Sequence, residues 1–202
     1  MKPFDEIPAG WPPPGEASTL VAPLFPLPRA WLFPHVVLPL HVFEPRYRQM
    51  IEDCLDGPGR IVLGTISAGF EHEHLGSPPV EPIGGLGEIG RHERLPDGRY
   101  QVFLVGLARA RIRELPSDRL YRRVEAEPID ESVAETPENA DLRREVCDAI
   151  LKRADDMDEV PDHVPLAALV DFLALRMDLP HDRMREVYGE PDPAERARLV
   201  LA

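Results

Sequence analysis

Five prolines, Pro23, Pro26, Pro28, Pro34 and Pro39, interrupt the most apolar part of this chain, the run from Leu20 to Phe43. Proline fixes φ, has no N–H and pushes the residue before it toward extended backbone. The run therefore cannot be a helix and reads as short strand-like pieces joined by turns. Pro34, His35, Pro39 and His41 also break the stretch from Ala30 to Phe43. A membrane-spanning helix needs about 20 predominantly apolar residues, and no run here approaches that.

Residues 1–19 are rich in proline and lack periodicity, so a flexible lead-in is expected there. They carry no apolar stretch of the secretory kind, and a cytoplasmic location is expected. Cys54 and Cys147 match no metal or redox spacing, which suits reduced thiols.

The first helix is expected at Glu44-Pro45, since proline is well placed in a first turn. Tyr47, Met50, Ile51, Cys54 and Leu55 follow on one apolar stripe, and Gly57-Pro58-Gly59 ends it. From Arg60 to Pro128 the period changes to two. Strands are expected at Ile61–Ile66, Tyr100–Val105, Ala108–Ile112 and around Val124–Ala126, with a hairpin turn at Pro96-Asp97-Gly98 and a long loop from Gly69 to Gly87. Short half-polar strands of this kind fit a small antiparallel barrel or sandwich.

At Thr136-Pro137-Glu138 the pattern turns helical. Thr136 is a suitable N-cap, and Leu142, Val146, Ala149, Ile150 and Met157 share one face. Leu166, Leu169, Val170 and Leu173 stripe a second helix, and a short third lies between Pro180 and Gly189. Asp192-Pro193-Ala194-Glu195 opens a fourth, with Glu195 placed to reach back as in a capping box. The fold class expected is α+β. A β lobe spans 20–130 and a helical lobe spans 136–202.

The net charge is −13, with 14 basic and 17 acidic residues in 1–128 against 9 and 19 in 129–202. A negative surface is repelled by phosphate backbones and anionic lipid, so neither nucleic acid nor membrane is expected as a partner.

Between Leu24 and Leu55 the sequence becomes specific. Leu24-Phe25-Pro26-Leu27-Pro28, Leu32-Phe33-Pro34 and Leu38-Pro39-Leu40-His41-Val42-Phe43-Glu44-Pro45-Arg46-Tyr47 resemble the opening of the N-terminal, substrate-binding domain family of Lon proteases. The Gly84–Arg91 strand, Leu95-Pro96-Asp97-Gly98-Arg99-Tyr100, Gly106-Leu107-Ala108-Arg109, Leu169–Leu179 and Glu195-Arg196 follow in the family's order. The resemblance covers about residues 20–202. It implies a PUA-like β-barrel lobe with one helix, followed by a small helical bundle. It also implies capture of unfolded or tagged polypeptides, with Lon itself a further expected partner. The sequence holds no G-x-x-x-x-G-K-[ST] loop, and its two lysines, Lys2 and Lys152, lie near no serine. Neither ATP hydrolysis nor Ser–Lys proteolysis is expected of it, and no cofactor.

The candidate polypeptide-binding residues are Trp31, Phe33, Pro34 and Phe43. They are drawn from the apolar set Trp31, Leu32, Phe33, Val36, Val37 and Phe43, part of which is expected at the surface as a patch. His72-Glu73-His74 invites a metal reading, but a third or fourth ligand at a recognised spacing is missing, so a solvated loop is preferred and no metal is expected. Glu44, Arg46 and Arg48 read as a helix start, Glu44 capping and Arg46 pairing with an acid or carbonyl. Arg109, Arg111 and Arg113 form a basic stripe that Glu114, Glu125 and Glu127 can neutralise, with no aromatic platform for RNA. Two other readings stay open: a small-molecule pocket between the lobes, with His92, Glu93 or Asp97 in it, and RNA binding through the β lobe.

Overall fold

The structure, a computed structural model, describes residues 19–73, 75–131, 136–153 and 158–202. Met157, His74 and the first 18 residues of the expected lead-in lie outside these. The described residues fall into two compact units, divided between Ile129 and Asp130.

The first unit holds one mixed sheet and one α-helix. Its strands are β1 (Leu20–Pro28), β2 (Val37–Val42), β3 (Arg60–Ile66), β4 (Ile83–Arg94), β5 (Tyr100–Leu115) and β6 (Arg122–Pro128), with α1 (Pro45–Leu55) between β2 and β3. The order is β2-β5-β4-β3-β1-β6, and β6 also pairs with β5. Hydrogen bonding thus runs from β5 through β4, β3, β1 and β6 back to β5, and β2 stands outside that circuit on the β5 edge. All pairings are antiparallel except β1 with β3, where Leu24 lies opposite Val62. Parallel neighbours need a long crossover, and the chain supplies one through β2 and α1.

Both faces of the central strands are covered. Ile61 and Leu63 join Phe25, Met50, Ile51 and Leu104 in one cluster under α1, while Val62 joins Leu24, Leu86 and Ala126 in another. A strand buried on both faces reads as a continuous apolar run, which is why 61–66 shows no alternation. In α1 the stripe Tyr47, Met50, Ile51 and Cys54 is buried, as its spacing predicts, while Leu55 lies at the surface.

Two expected strands, Tyr100–Val105 and Ala108–Ile112, are one. Tyr100, Val102, Leu104, Gly106, Ala108 and Ala110 are all buried, so the inward positions continue straight through Gly106. Gly106 occupies the inward position without a side chain because a Cβ there would collide with the Phe33 carbonyl. Arg109 is fully buried, a correction to the expected wet basic stripe. Of the other two, Arg113 donates to Glu125 at 2.8 Å and Arg111 is exposed.

The second unit holds α2 (Pro137–Leu151), α3 (Leu166–Arg176), α4 (His181–Gly189) and α5 (Pro193–Leu201). Thr136 Oγ1 accepts from Asn139 N–H at 3.2 Å, and Asp192 Oδ1 accepts from Ala194 N–H at 2.8 Å, so both expected N-caps form. The capping box is completed differently. Glu190, not Glu195, accepts the Asp192 N–H, while Glu195 pairs with Arg198. Val146, Ile150, Leu169, Val170, Leu173 and Ala197 form the apolar centre of this unit.

Candidate functional site

The connection from β1 to β2 is stitched to β5. His35 N–H donates to the Gly106 carbonyl at 2.9 Å, and Gly106 N–H donates to the Val36 carbonyl at 2.8 Å. The bend requires Arg29 and His35 to adopt φ of 52° and 65°, a left-handed conformation that costs a non-glycine residue about 1–2 kcal/mol. Leu32 fills the space that Gly87 and Gly106 leave empty. Burial pushes the His35 imidazole below its ordinary pKa.

This anchoring sorts the four candidate residues. Leu32 and Phe33 are both fully buried, so Phe33 cannot touch a partner, and this corrects its expected place at the surface. Trp31 and Pro34 flank that pair and are half-buried. Phe43, between β2 and α1, is 59% exposed.

Along β2 the residues alternate. Val37, Pro39 and His41 are exposed, and they pair across the sheet with Val105, Phe103 and Gln101. Phe103 and Val37 are both exposed on this side of the sheet, with the His41–Gln101 pair between them and Phe43. Phe103 was not among the sequence candidates. Its signal is parity: it is the odd residue in a strand whose even residues are buried. The Gly106–Val36 hydrogen bond turns the polar groups of the even-numbered β2 residues toward β5. Those of Val37, Pro39 and His41 then lie along the open edge, where Pro39 has no N–H to offer. An edge blunted in this way resists pairing with another strand, leaving side chains as its main contact surface.

Polar groups gather at the Phe43 end. The His41 ring lies 6.3 Å from the Phe43 ring, and His41 Nε2 accepts from Arg99 Nη1 at 3.1 Å. Arg99 also donates to Asp97 at 2.7 Å, which holds that carboxyl below its usual pKa. Glu44 stands at the N-cap position of α1, but its side chain makes no capping bond. It accepts instead from Arg46 at 3.0 Å, while Arg46 donates to the Gly76 carbonyl at 2.8 Å and lies over the Tyr47 ring. Beneath them, burial pushes the Tyr47 hydroxyl and the Cys54 thiol up to about 12, so both stay protonated at neutral pH.

His72 is exposed and lies 3.6 Å from Glu73, and among the described residues no three His, Cys, Asp or Glu side chains are grouped to hold a metal ion. His92 and Glu93 are exposed near the end of β4. No helix among the described residues is long and apolar enough to cross a membrane.

Sheet, helices and patch define an α+β module with an apolar surface along a protected sheet edge. The family model described as the ATP-dependent protease La (LON) substrate-binding domain matches residues 21–202, and the chain belongs to that family. Among solved structures it is similar to the N-terminal domain of a Lon protease from Mycobacterium avium complex, with TM-score 0.69 at 18% identity over 90% of this chain and 96% of that one. It is also similar to a Lon N-terminal domain protein from Xanthomonas campestris, with TM-score 0.64 at 24% identity over 89% and 95%. These likenesses show the fold. The Lon protease of Dictyoglomus thermophilum is 27% identical over 89% of this chain, which spans 24% of that protein's length. Lon protease 3 of Sorangium cellulosum is 31% identical over 62% of this chain and 15% of that protein. The chain thus spans about a quarter or less of these curated relatives.

Proposed function

We propose that this protein is a non-catalytic module that holds unfolded or tagged polypeptides through the apolar surface ending at Phe43. The observation that carries it is the 59% exposure of Phe43, on the same side of the sheet as exposed Val37 and Phe103, at a strand edge where Pro39 offers no N–H. Exposed apolar patches commonly mark polypeptide-binding sites. Trp31 and Pro34 flank the surface, and Phe33 supports it from inside. Membership of a substrate-binding domain family supports the same reading.

The β5-β4-β3-β1-β6 circuit corresponds in this reading to the PUA-like barrel, with a lead-in at 1–19, the β lobe at 20–130 and the helical lobe at 136–202. The protein works in the cytoplasm, without a cofactor, and Lon protease is a second partner beside the unfolded chains.

The test is fluorescence anisotropy with a labelled, permanently unfolded polypeptide. Wild type raises the anisotropy with a Kd in the micromolar range, and Phe43→Ala weakens binding at least about tenfold while melting at the wild-type temperature. No rise with any of several unfolded probes sinks the proposal.

A further inference from the structure

The Phe43 surface runs into a half-buried guanidinium. From Phe43 the contacts pass to the His41 ring, from His41 to Arg99, and from Arg99 into the turn at Gly98, against which Arg48 of α1 lies. The cations around this point differ in how they are matched. Arg99 is held by Asp97 and His41, Arg46 by Glu44 and the Gly76 carbonyl, and Arg94 lies 3.8 Å from Glu52 and over the Tyr100 ring. Arg48 is half-buried, its Nε is buried with no hydrogen-bond partner, and no carboxylate among the described residues pairs with it. An exposed arginine is served by water. A half-buried one has lost part of its hydration and gains most from an incoming carboxylate, which its planar fork can grip at two points.

We infer that Arg48 is an acid-recognising subsite of the Phe43 surface, selecting polypeptide segments in which an aspartate or glutamate lies close to an aromatic or large apolar residue. The inference rests on the proposed function and names its substrate class. On α1, Glu44 at the N-cap and Glu52 stand one turn before and one turn after Arg48, and Asp97 lies in the turn beside it; Glu44 is engaged by Arg46. Asp97 is engaged by Arg99, Glu52 by Tyr100 and Arg94, and Glu93 is exposed on β4. The chain as a whole carries net charge −13, so an acidic client is held off by the general field and favours a local cation.

The experiment uses end-blocked fluorescent peptides, each with one Phe and, one to three residues away, either Glu or Gln. Blocked ends leave the side chain as the only carboxylate. Wild type is expected to bind the best-spaced Glu peptide about tenfold more tightly than its Gln twin at low salt, the gap narrowing at 0.5 M salt. Arg48→Gln is expected to remove that preference while Phe43→Ala still weakens both peptides. Arg48→Lys, which keeps charge and stem but loses the fork, is expected to retain part of the preference and serves if the Gln variant does not fold. Equal binding of the two peptides by wild type overturns the inference and leaves the proposed function standing. A Glu preference that survives in both Arg48 variants overturns it too, by placing selection elsewhere. If neither these peptides nor the unfolded polypeptide binds, the proposed function falls and this inference with it.

Discussion

Arg196 of α5 lies fully buried with its Nε 3.1 Å from Asp171 Oδ1 of α3, itself only 4% exposed. Arg196 Nη2 reaches Glu131 at 2.8 Å and Nη1 donates to the Glu190 carbonyl at 2.9 Å, so one guanidinium ties two helices to the segments before α2 and α5. Removing one member of a buried ionic group leaves the others charged and unpaired, which costs about 3–5 kcal/mol. Arg196→Met is therefore expected to lower unfolding stability by that amount, whereas Arg196→Met combined with Asp171→Leu and Glu131→Leu recovers most of it. Urea denaturation of both variants checks this. A loss below about 1 kcal/mol for the single change would mean that water already reaches the cluster.

Gly98 serves the turn in two ways. Its φ of +81° is left-handed, and a Cβ there would run into the Arg48 guanidinium. Gly69 has φ +89° with nothing near a Cβ, so it isolates the backbone part of the cost. Gly69→Ala is expected to cost about 1–2 kcal/mol. Gly98→Ala is expected to cost more and to shift Arg48, weakening the Glu-peptide preference as well. Equal destabilisation by the two changes would show that Arg48 gives way without effort.

Three protons should make the first unit sensitive to alkali. Burial pushes Tyr47 and Cys54 up to about 12, and burial with a hydrogen bond to Asp53 does the same for Tyr121. In the unfolded chain such groups titrate near 8.5 for Cys and near 10 for Tyr. Between those values and 12 the folded state keeps protons that the unfolded state releases, so stability falls as pH rises. The contribution is whole below about pH 8.5 and gone above 12. Thermal melts from pH 8 to 11.5 should show a steady decline, flattened in Tyr47→Phe and in Cys54→Ala once each variant is normalised to its own pH 8 stability. A wild-type melting temperature unchanged to pH 11 argues against buried, protonated groups.

Legibility in the sequence followed how local each determinant is. Proline positions, the 47–54 stripe and the caps at Thr136 and Asp192 act within a few residues, and each stands where its chemistry implies. Determinants acting across the sheet were hidden. Gly106 looked like a break in a strand because its reason for being glycine, the Phe33 carbonyl, is 73 positions away. Arg109 looked wet because alternation alone does not reveal that Ala108, Arg109 and Ala110 are buried in succession, on both faces of β5. Glu190 took the return bond expected of Glu195 because an acid on either side of the cap can reach its N–H. In the candidate site, Phe43 and Phe33 could not be separated from sequence, since both are aromatic residues beside proline or a β-branched neighbour. Only the loop's attachment to β5 decides which of them faces inward.

That separation gives the sharpest contrast between stability and binding. Phe33 is fully buried against a loop held by hydrogen bonds to Gly106, so Phe33→Ala opens a cavity and is expected to cost about 3–5 kcal/mol. Phe43 is mostly in water, and Phe43→Ala is expected to change stability by less than about 0.5 kcal/mol. For binding the order reverses. Phe43→Ala should lose unfolded-polypeptide binding outright at low micromolar concentration. Phe33→Ala, measured well below its melting temperature, should lose only the part that comes from a loosened Trp31–Pro34 loop. Chemical denaturation and anisotropy on the same two preparations make the comparison. A Phe33→Ala protein that is folded yet binds nothing, beside a Phe43→Ala protein that binds normally, would place the contact on the loop rather than on the strand edge.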